Sequence, residues 1–214
     1  MWPNSSMAED IPITRNRVAS ERAESIRQRI RKVDCMGEGP NASRLAMPED
    51  AAGLLALLSD PAVHAPIYSL PRPLTLEAVQ GFIDGHLEER ERGEGLLLVR
   101  EQNGQIMGYS DFQIWPDWAA GELGGALHPS QHSKGQGTRG AAQSFGWMFD
   151  ALDLDLLCMT ASLENTPTQR LLDGLGFARM GCVISTRPDG TTRESLVWEM
   201  TREAWQRRSP ADTH

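Results

Sequence analysis

The chain has 214 residues, of which 40% are hydrophobic and 23% are charged, and it carries a formal net charge of −8. This length suffices for one domain with a substantial core and an appendage. An acidic surface repels phosphate groups, so the composition argues against DNA and anionic membranes as partners and is compatible with cationic partners such as amines.

The cysteines and the apolar runs bear on the compartment. Cys35, Cys158 and Cys182 cannot all pair with one another, and none lies in a CxxC or Cys/His cluster. We therefore expect reduced thiols and no metal site. No apolar run approaches the roughly 18 residues of a membrane span, and the N-terminus lacks the apolar core of a signal peptide. These features predict a cytoplasmic protein.

Residues 1–40 are predicted to be a polar and basic N-terminal extension, unstructured at first because it is polar and contains prolines. Between Arg15 and Lys32 seven basic and two acidic residues give a local charge of +5. Apolar residues recur there at helical spacing and predict an amphipathic helix. We expect this helix to dock on the domain or on a second subunit. A membrane-surface or RNA-binding arm, an organelle-targeting segment and a later start at Met36 or Met47 are alternatives.

Two helices are predicted where the mixed pattern starts. The first begins at Pro48, because proline is favoured in the first turn of a helix, and it ends before Pro61. The second runs from Thr75 to about Arg92 and is broken by the glycine at position 93. Both have apolar residues at inward positions.

Strands and helices then alternate. The predicted segments are, in order, strand Leu96–Arg100, strand Ile106–Ile114, strand Gly121–Leu127, helix Gly135–Leu152, strand Leu156–Ser162, helix Pro167–Leu175, strand Arg179–Thr186 and strand Thr192–Met200. Together with the two helices they place an α/β domain over residues 41–205, followed by a tail over residues 206–214. The helix between the third and fourth strands is typical of a parallel crossover.

A glycine loop, Gly135-Gln136-Gly137-Thr138, lies where the long helix starts. The N–H groups at a helix N-terminus carry partial positive charge, and glycines let the backbone approach phosphate oxygens closely. The loop is therefore predicted to cradle a pyrophosphate, with Lys134 and Arg139 as charge partners. Taken alone, the same pattern is also that of an ordinary turn, and it is neither a Walker A loop nor a Rossmann fingerprint.

A second segment is more specific. Asn165-Thr166-Pro167-Thr168 follows a strand, and a short amphipathic helix leads from it to Leu175-Gly176-Phe177. Asn165 is predicted to cap that helix, with Phe177 in the core. Capping does not explain why this segment occurs together with the glycine loop.

The two segments together resemble the GCN5-related N-acetyltransferase (GNAT) superfamily over roughly residues 41–205. The loop is similar to the family's acetyl-CoA loop, Arg/Gln-x-x-Gly-x-Gly/Ala, and the second segment to its Asn-x-x-Ser…Gly-Phe pattern. The Pro48-Glu49-Asp50 helix start, His128-Pro129 and the closing Trp198…Trp205 region are similar to the branch with ribosomal-protein N-terminal acetyltransferases. That branch also contains small-amine acetyltransferases.

This resemblance implies an α/β (α+β) fold with a central mixed, mostly antiparallel sheet, flanked by helices, in which one parallel pair of strands is splayed. The family's first strand has no obvious counterpart, because the segment from Ser43 to Met47 lies close to the helix start at Pro48. The segment from Ile30 to Met36 is the alternative, and it would shorten the N-terminal helix.

The resemblance further implies acetyl-CoA as cosubstrate, with its pantetheine arm in the parted seam between the two splayed strands. A backbone N–H there would polarise the thioester carbonyl. His132 and Ser133 depart from the family's Arg/Gln and glycine, and Thr168 replaces its serine. The implied cofactor contacts are Ala126, Leu127, His132, Lys134, Gly135, Gln136, Gly137, Thr138, Asn165 and Thr168.

The chemistry implied by the family needs a base, because an ammonium group with a pKa of about 10.4 is not nucleophilic. Glu122 and Glu164 are the candidate bases, and surface charge or helix capping is the alternative role of each. Relatives protonate the leaving thiolate with a tyrosine after the second segment, where this chain has none. Asn165, Ser162 or Thr168 is expected to contact the sulfur instead.

Three aromatic residues, Tyr68, Trp115 and Trp118, are candidates for lining an acceptor pocket, although the tryptophans would also serve simply to cover a hairpin end. Cys158 lies in mid-strand and is predicted to be a core residue, so no acyl-cysteine intermediate is expected.

The sequence therefore predicts an acetyl-CoA-dependent N-acetyltransferase that acts on a small-molecule amine or a protein N-terminus by direct transfer in a ternary complex. No metal, DNA or membrane is expected to take part, and a homodimer is compatible with the docked helix. His132, Ser133 and the missing tyrosine favour an alternative, a weak or inactive CoA-binding module. A further hypothesis is that the basic N-terminal segment docks RNA or the ribosome.

Overall fold

The computed structural model describes residues 11–39, 42–67, 69–131, 136–186 and 190–208. Its strands are β1 (Cys35–Met36), β2 (Ser43–Leu45), β3 (Gly95–Gln102), β4 (Gln105–Trp115), β5 (Ala120–Leu127), β6 (Leu156–Ser162), β7 (Ala178–Thr186) and β8 (Thr192–Thr201). They form one sheet in the order β1-β2-β3-β4-β5-β6-β8-β7. Neighbouring strands are antiparallel except for β5 and β6. The expected mixed, mostly antiparallel sheet is confirmed.

Seven α-helices accompany the described strands. They are α1 (Ser20–Arg31), α2 (Ala51–Leu58), α3 (Pro61–His64), α4 (Leu76–Arg92), α5 (Gln136–Asp150), α6 (Thr166–Gly174) and α7 (Arg202–Gln206). The bounds of α4 follow from its caps: the Thr75 hydroxyl accepts a hydrogen bond from Ala78 N at 3.1 Å, and Gly93 ends the helix at φ 76°. No helix of the described residues has the length and apolarity needed to cross a membrane.

Apolar residues that alternate along the central strands place a core on each face of the sheet. Leu96 lies in one core with Phe145 of α5. Leu97, its neighbour, lies in the opposite core with Phe82 of α4. The sheet is therefore held between two helical layers, and its central strands have little freedom to move.

The first strand differs from the alternative that placed it at Ile30–Met36. Ile30 lies in α1, and only Cys35 and Met36 are extended, as the outermost strand. β2 is the strand that pairs with β3, and its three residues fit before the helix start because Arg44 binds the carboxylate of Asp50 at 2.7 Å. This ion pair lets the chain turn from strand to helix within a few residues.

Helix α1 packs on the sheet through Ile26 and Ile30, which are fully buried. Arg22 forms an ion pair with Asp155 at 2.6 Å, and Arg27 forms one with Asp117 at 3.0 Å. These basic side chains are thus occupied by acidic groups of the same chain, which opposes their use as a nucleic-acid contact. The division of the chain at residue 40 stays a prediction.

The segment before α1 crosses the sheet at a buried carboxylate. Glu199 of β8 is 5% exposed and accepts hydrogen bonds from Ile13 N, Thr14 N and Thr14 Oγ1 at 2.6, 3.1 and 2.5 Å. Ile11 is buried beside Trp115 in the same region. Three hydrogen bonds to one buried carboxylate fix the path of this segment over the sheet.

Gly125 of β5 has a backbone conformation that other residues adopt only with strain, with φ +139°, and a Cβ there would lie 2.3 Å from Tyr109 O. We expect Gly125→Ala to destabilise the fold by about 1–3 kcal/mol or more, through backbone strain and the steric clash. Urea unfolding measures the effect.

The neighbouring residue provides a matched control. Gly124 lacks a positive φ, and a Cβ there would meet its nearest atom at an ordinary 3.6 Å. Gly124→Ala should therefore destabilise much less than Gly125→Ala. Equal effects of the two substitutions would contradict the strain argument.

Candidate active site

Strands β5 and β6 form a fork. Their parallel pairing covers Ala120↔Leu156 and Gly121↔Leu157, and no further pair forms along these two fully described strands. β5 continues beside β4 and β6 continues beside β8. The gap between them opens into a cleft of about 2610 Å³. The expected splayed parallel pair is therefore present.

Glu122 is the first residue of β5 beyond the paired part of the fork, and its side chain reaches across to β6. Its Oε1 atom accepts hydrogen bonds from Thr160 N at 2.9 Å and from Thr160 Oγ1 at 2.6 Å. Both residues line the cleft. A carboxylate is thus held at the point where the two strands part.

The surroundings of Glu122 favour its protonated form more than water does. Burial raises the pKa of Glu122 to about 7, although the hydrogen bonds from Thr160 act in the opposite direction. The negative charge of Asp111 adds to the rise, and the positive charge of Arg193 reduces it. A carboxyl group with this pKa is able to exchange a proton at neutral pH, as a general base must.

The N-terminus of α5 faces the same cleft. Gly137 is exposed and lines the cleft, and no heavy atom lies within 4 Å of the position that its Cβ would take. Thr138 follows it in the first turn of the helix. His132, Lys134 and Gly135 fall outside the described residues, as does the side chain of Gln136. The backbone at Gly137 is therefore open to a ligand, as a phosphate cradle requires.

Ala126 and Leu127 also line the cleft, at the far end of β5. On one side they pair with Tyr109 and Gly108 of β4. On the other side β6 has already diverged, so this edge of β5 faces the gap. An extended ligand arm in the gap would therefore lie beside these two residues.

Asn165 and Thr168 combine a structural position with a place in the cleft. The Asn165 Oδ1 atom accepts a hydrogen bond from Thr168 N at 3.3 Å, which caps α6. Both residues line the cleft. The capping role and the predicted cofactor contact are therefore compatible at this position.

The remaining catalytic candidates lie differently. Ser162 and Glu164 are not among the described residues that line the cleft. The Ser162 carbonyl accepts a hydrogen bond from Asn165 N at 3.1 Å, and Glu164 is exposed on the loop before α6. Position in the structure thus favours Glu122 over Glu164 as the base.

The aromatic candidates and Cys158 differ in their relation to the cleft. Trp115 and Trp118 both line the cleft, while Tyr68 lies outside the described residues. Cys158 is fully buried, and burial raises the pKa of its thiol, so it stays protonated and unreactive. Among the described residues no group of three or more His, Cys, Asp or Glu side chains is arranged to hold a metal ion.

His86 and Asp111 were not predicted as site residues, yet they form a buried pair in the cleft wall. His86 Nε2 lies 3.0 Å from Asp111 Oδ1, and their side chains are 11% and 13% exposed. Burial disfavours the imidazolium, but Asp111 and then Glu89 outweigh it and raise the pKa of His86 to about 9. In the sequence the signal is an aspartate within an apolar strand, which does not identify its partner.

Tyr109 is a second buried polar residue that the sequence did not single out. It is 4% exposed, it lines the cleft, and its hydroxyl has no hydrogen-bond partner among the described residues. Burial raises the pKa of this hydroxyl, so it stays a neutral donor. Its position opposite Ala126 places it at the far end of the fork.

The chain is similar to known proteins in sequence and in fold. A sequence model described as an acetyltransferase (GNAT) domain matches residues 44–178 of the chain. A search of curated proteins gives no significant match.

Solved structures with the same fold include RimJ of Mycobacterium smegmatis in complex with CoA-disulfide, with a TM-score of 0.65 at 21% identity over 80% of this chain and 85% of that chain. Ribosomal-protein-S5-alanine acetyltransferase of Vibrio fischeri superposes with a TM-score of 0.64 at 18% identity, over 80% and 98% of the two chains. RimL, a ribosomal L7/L12 α-N-protein acetyltransferase in complex with coenzyme A, gives 0.68 at 15% identity, over 79% and 99%.

Proposed function

Because this chain belongs to the GNAT family of N-acetyltransferases, we propose that it transfers the acetyl group of acetyl-CoA directly to a primary amine within a ternary complex. The observation that carries this proposal is the placement of Glu122, a carboxylate with a pKa of about 7, at the fork between β5 and β6. Family membership confirms the sequence-based assignment, whereas the acceptor and the roles of single residues belong to the proposal.

The described residues fit acetyl-CoA. The pyrophosphate would lie against the N-terminus of α5, where the backbone at Gly137 is open and the helix dipole favours negative charge. The pantetheine arm would extend along the edge of β5 that faces the gap, beside Ala126 and Leu127. His132, Lys134 and Gly135, with Gln136 and Thr138, would complete the phosphate contacts.

Glu122 would act on the acceptor amine. The amine arrives as an ammonium and must give up a proton before its nitrogen attacks the thioester carbonyl carbon. The ionised carboxylate of Glu122 would accept this proton directly or through a water molecule. As the new C–N bond forms, a backbone N–H of the β5 edge would stabilise the carbonyl oxygen, and the C–S bond then breaks to release CoA.

Asn165 and Thr168 are the groups that we place near the leaving sulfur. Both line the cleft at the start of α6. Their amide and hydroxyl groups are hydrogen-bond donors, so they would stabilise the thiolate. Ser162, which lies outside the cleft lining of the described residues, is the weaker candidate for this role.

The acceptor would be a cation, in the form of a protein N-terminus or a small-molecule amine. The cleft is lined by several carboxylates, Glu122 and Asp111 among them, and negative charge in a cleft attracts ammonium groups. Two of the structural relatives are named as acetyltransferases of ribosomal proteins, which makes a protein N-terminus the first acceptor to test. Free cysteines at positions 35, 158 and 182 support the cytoplasm as the compartment.

Calorimetry with acetyl-CoA tests the cosubstrate, and thiol release with a panel of peptides, polyamines and aminoglycosides tests the reaction. We expect saturable binding of acetyl-CoA and amine-dependent release of free CoA thiol, because the fork and the α5 N-terminus form one continuous site. Binding without thiol release from any amine would favour the alternative of a CoA-binding module. No binding at hundreds of micromolar acetyl-CoA would overturn the proposal.

A further inference from the structure

The His86–Asp111 pair has a geometry that defines its charge state. His86 Nδ1 lies 2.8 Å from Phe82 O, and His86 Nε2 lies 3.0 Å from Asp111 Oδ1. A carbonyl oxygen accepts hydrogen bonds only, so Nδ1 carries a proton, and the pKa of His86, raised to about 9 chiefly by Asp111 against the effect of burial, keeps Nε2 protonated at neutral pH. The pair is therefore an imidazolium bound to an ionised carboxylate, almost fully enclosed by the protein.

The Asp111 side chain lies on the same face of the sheet as the Glu122 side chain. Asp111 pairs with Gly124 across the two strands, and Gln113 pairs with Glu122 one step further along the same face. A Cβ at Gly124 would lie 3.6 Å from Asp111 Cβ and 3.7 Å from Asp111 Oδ2. The Asp111 side chain therefore lies against β5 at position 124, two residues along the strand from Glu122.

We propose that the buried His86–Asp111 ion pair, on the same face of the sheet as Glu122, adjusts the proton affinity of Glu122 and thereby the pH range in which the acceptor amine loses its proton. This inference rests on the proposed role of Glu122 as the base. His86 and Asp111 are positioning residues here: the positive charge of His86 partly offsets the negative charge of Asp111, and the negative charge of Asp111 opposes ionisation of Glu122.

Other groups also act on Glu122, Asp111 and His86. On β6, Thr160 donates two hydrogen bonds to Glu122, and on β8, Arg193 contributes a positive charge. Further groups interact electrostatically with Glu122, Asp111 or His86, or form hydrogen bonds with them. They include Glu89 of α4, Tyr109 of β4, Cys158 of β6 and Ser69 of the loop before α4. The negative charge of Asp111 raises the pKa of Glu122, although less than burial does.

Two substitutions change the charge on Glu122 in opposite directions. Asp111→Asn removes the facing negative charge and leaves His86 without a carboxylate, so the Glu122 titration midpoint should fall. His86→Gln removes the positive charge that partly offsets Asp111, so the midpoint should rise. Because Asp111 acts on Glu122 less strongly than burial and the Thr160 hydrogen bonds do, we expect the midpoint to shift by about half a pH unit in each variant.

The midpoint is read directly by ¹³C NMR of the side-chain carboxyl in protein labelled at glutamate, with the Glu122 signal assigned by its absence from Glu122→Gln. The pH profile of acetyl transfer in the same variants gives a second readout. Asp155→Asn is the matched control. Like Asp111, Asp155 forms an ion pair with a basic side chain, that of Arg22, but it is not among the described residues that line the cleft. This variant should leave the midpoint unchanged.

Opposite shifts in Asp111→Asn and His86→Gln would establish the coupling. An unchanged midpoint in either variant, or shifts in the same direction, would overturn it, because a purely structural pair gives no opposite response. Failure of the proposed function gives a different result: the wild-type enzyme would then release no thiol from any amine, while the NMR titration of Glu122 would still be measured.

Discussion

Glu122→Gln is expected to slow acetyl transfer by about 10²–10⁴-fold, the usual contribution of a general base, with acetyl-CoA binding unchanged. Glutamine has nearly the same shape as glutamate and still accepts the hydrogen bonds from Thr160, but it does not take up a proton at neutral pH. Steady-state kinetics with the best acceptor amine measure the loss in kcat/KM, and calorimetry with acetyl-CoA measures binding.

The pH profile adds a specific signature. Glu122 works as a base only when ionised, and its pKa is raised to about 7. In the wild type, kcat/KM should therefore fall as pH drops below about 7, and Glu122→Gln should lose this dependence. Asp111 raises and Thr160 lowers the pKa of Glu122. The midpoint of the pH profile should therefore depend on both of these neighbours.

As pH rises through about 7, the stability of the folded protein should fall while its catalytic activity rises. The pKa of Glu122 is raised in the folded protein, so its contribution to stability is fully present below the unfolded value of 4.5 and is lost as pH rises through about 7. Glu122→Gln lacks this loss and should be at least as stable as the wild type at pH 8, which thermal unfolding tests. A stable variant without activity separates catalysis from folding.

Glu164→Gln is the matched control for the same chemistry. Glu164 is a glutamate near the cleft, but it is exposed and lies outside the described cleft lining. It should keep nearly full activity. If Glu164→Gln loses activity and Glu122→Gln retains it, the assignment of the base is wrong.

The secondary structure was accessible from sequence because its signals are local. β6 spans Leu156–Ser162, as its apolar run predicts, and α4 ends at Arg92 before a glycine. The first strand was left open between two segments, because three residues of β2 are too few for a periodic pattern. What makes them a strand is pairing with β3, more than 50 residues further along the chain.

The site was predicted in the same uneven way. Gly137 and Asn165 belong to short motifs whose local roles, a helix start and a helix cap, are readable from neighbouring residues. The His86–Asp111 pair joins residues on α4 and β4 that meet only when the helix packs on the sheet. The raised pKa of Glu122 likewise depends on burial and on distant charges, which no spacing along the chain encodes.

Gly137→Val is expected to weaken acetyl-CoA binding by about 10- to 100-fold. In the protein alone the new side chain meets no heavy atom within 4 Å of its Cβ, so the fold should tolerate it. With the pyrophosphate at the N-terminus of α5, the same side chain would stand between phosphate oxygens and the backbone N–H groups. One lost hydrogen bond to a charged group accounts for about 1.5–3 kcal/mol. Calorimetry with acetyl-CoA and with CoA measures the change.

Gly81→Val separates this steric effect from a general response to valine in a helix. Gly81 lies in α4, a Cβ there also meets nothing within 4 Å, and the residue is outside the described cleft lining. Its affinity for acetyl-CoA should equal that of the wild type. Wild-type affinity in Gly137→Val would show that the phosphates do not approach the backbone there, and an equal loss in both variants would assign the effect to the helices. A loss confined to Gly137→Val places the pyrophosphate at the start of α5, because the two sites differ in what the ligand must approach.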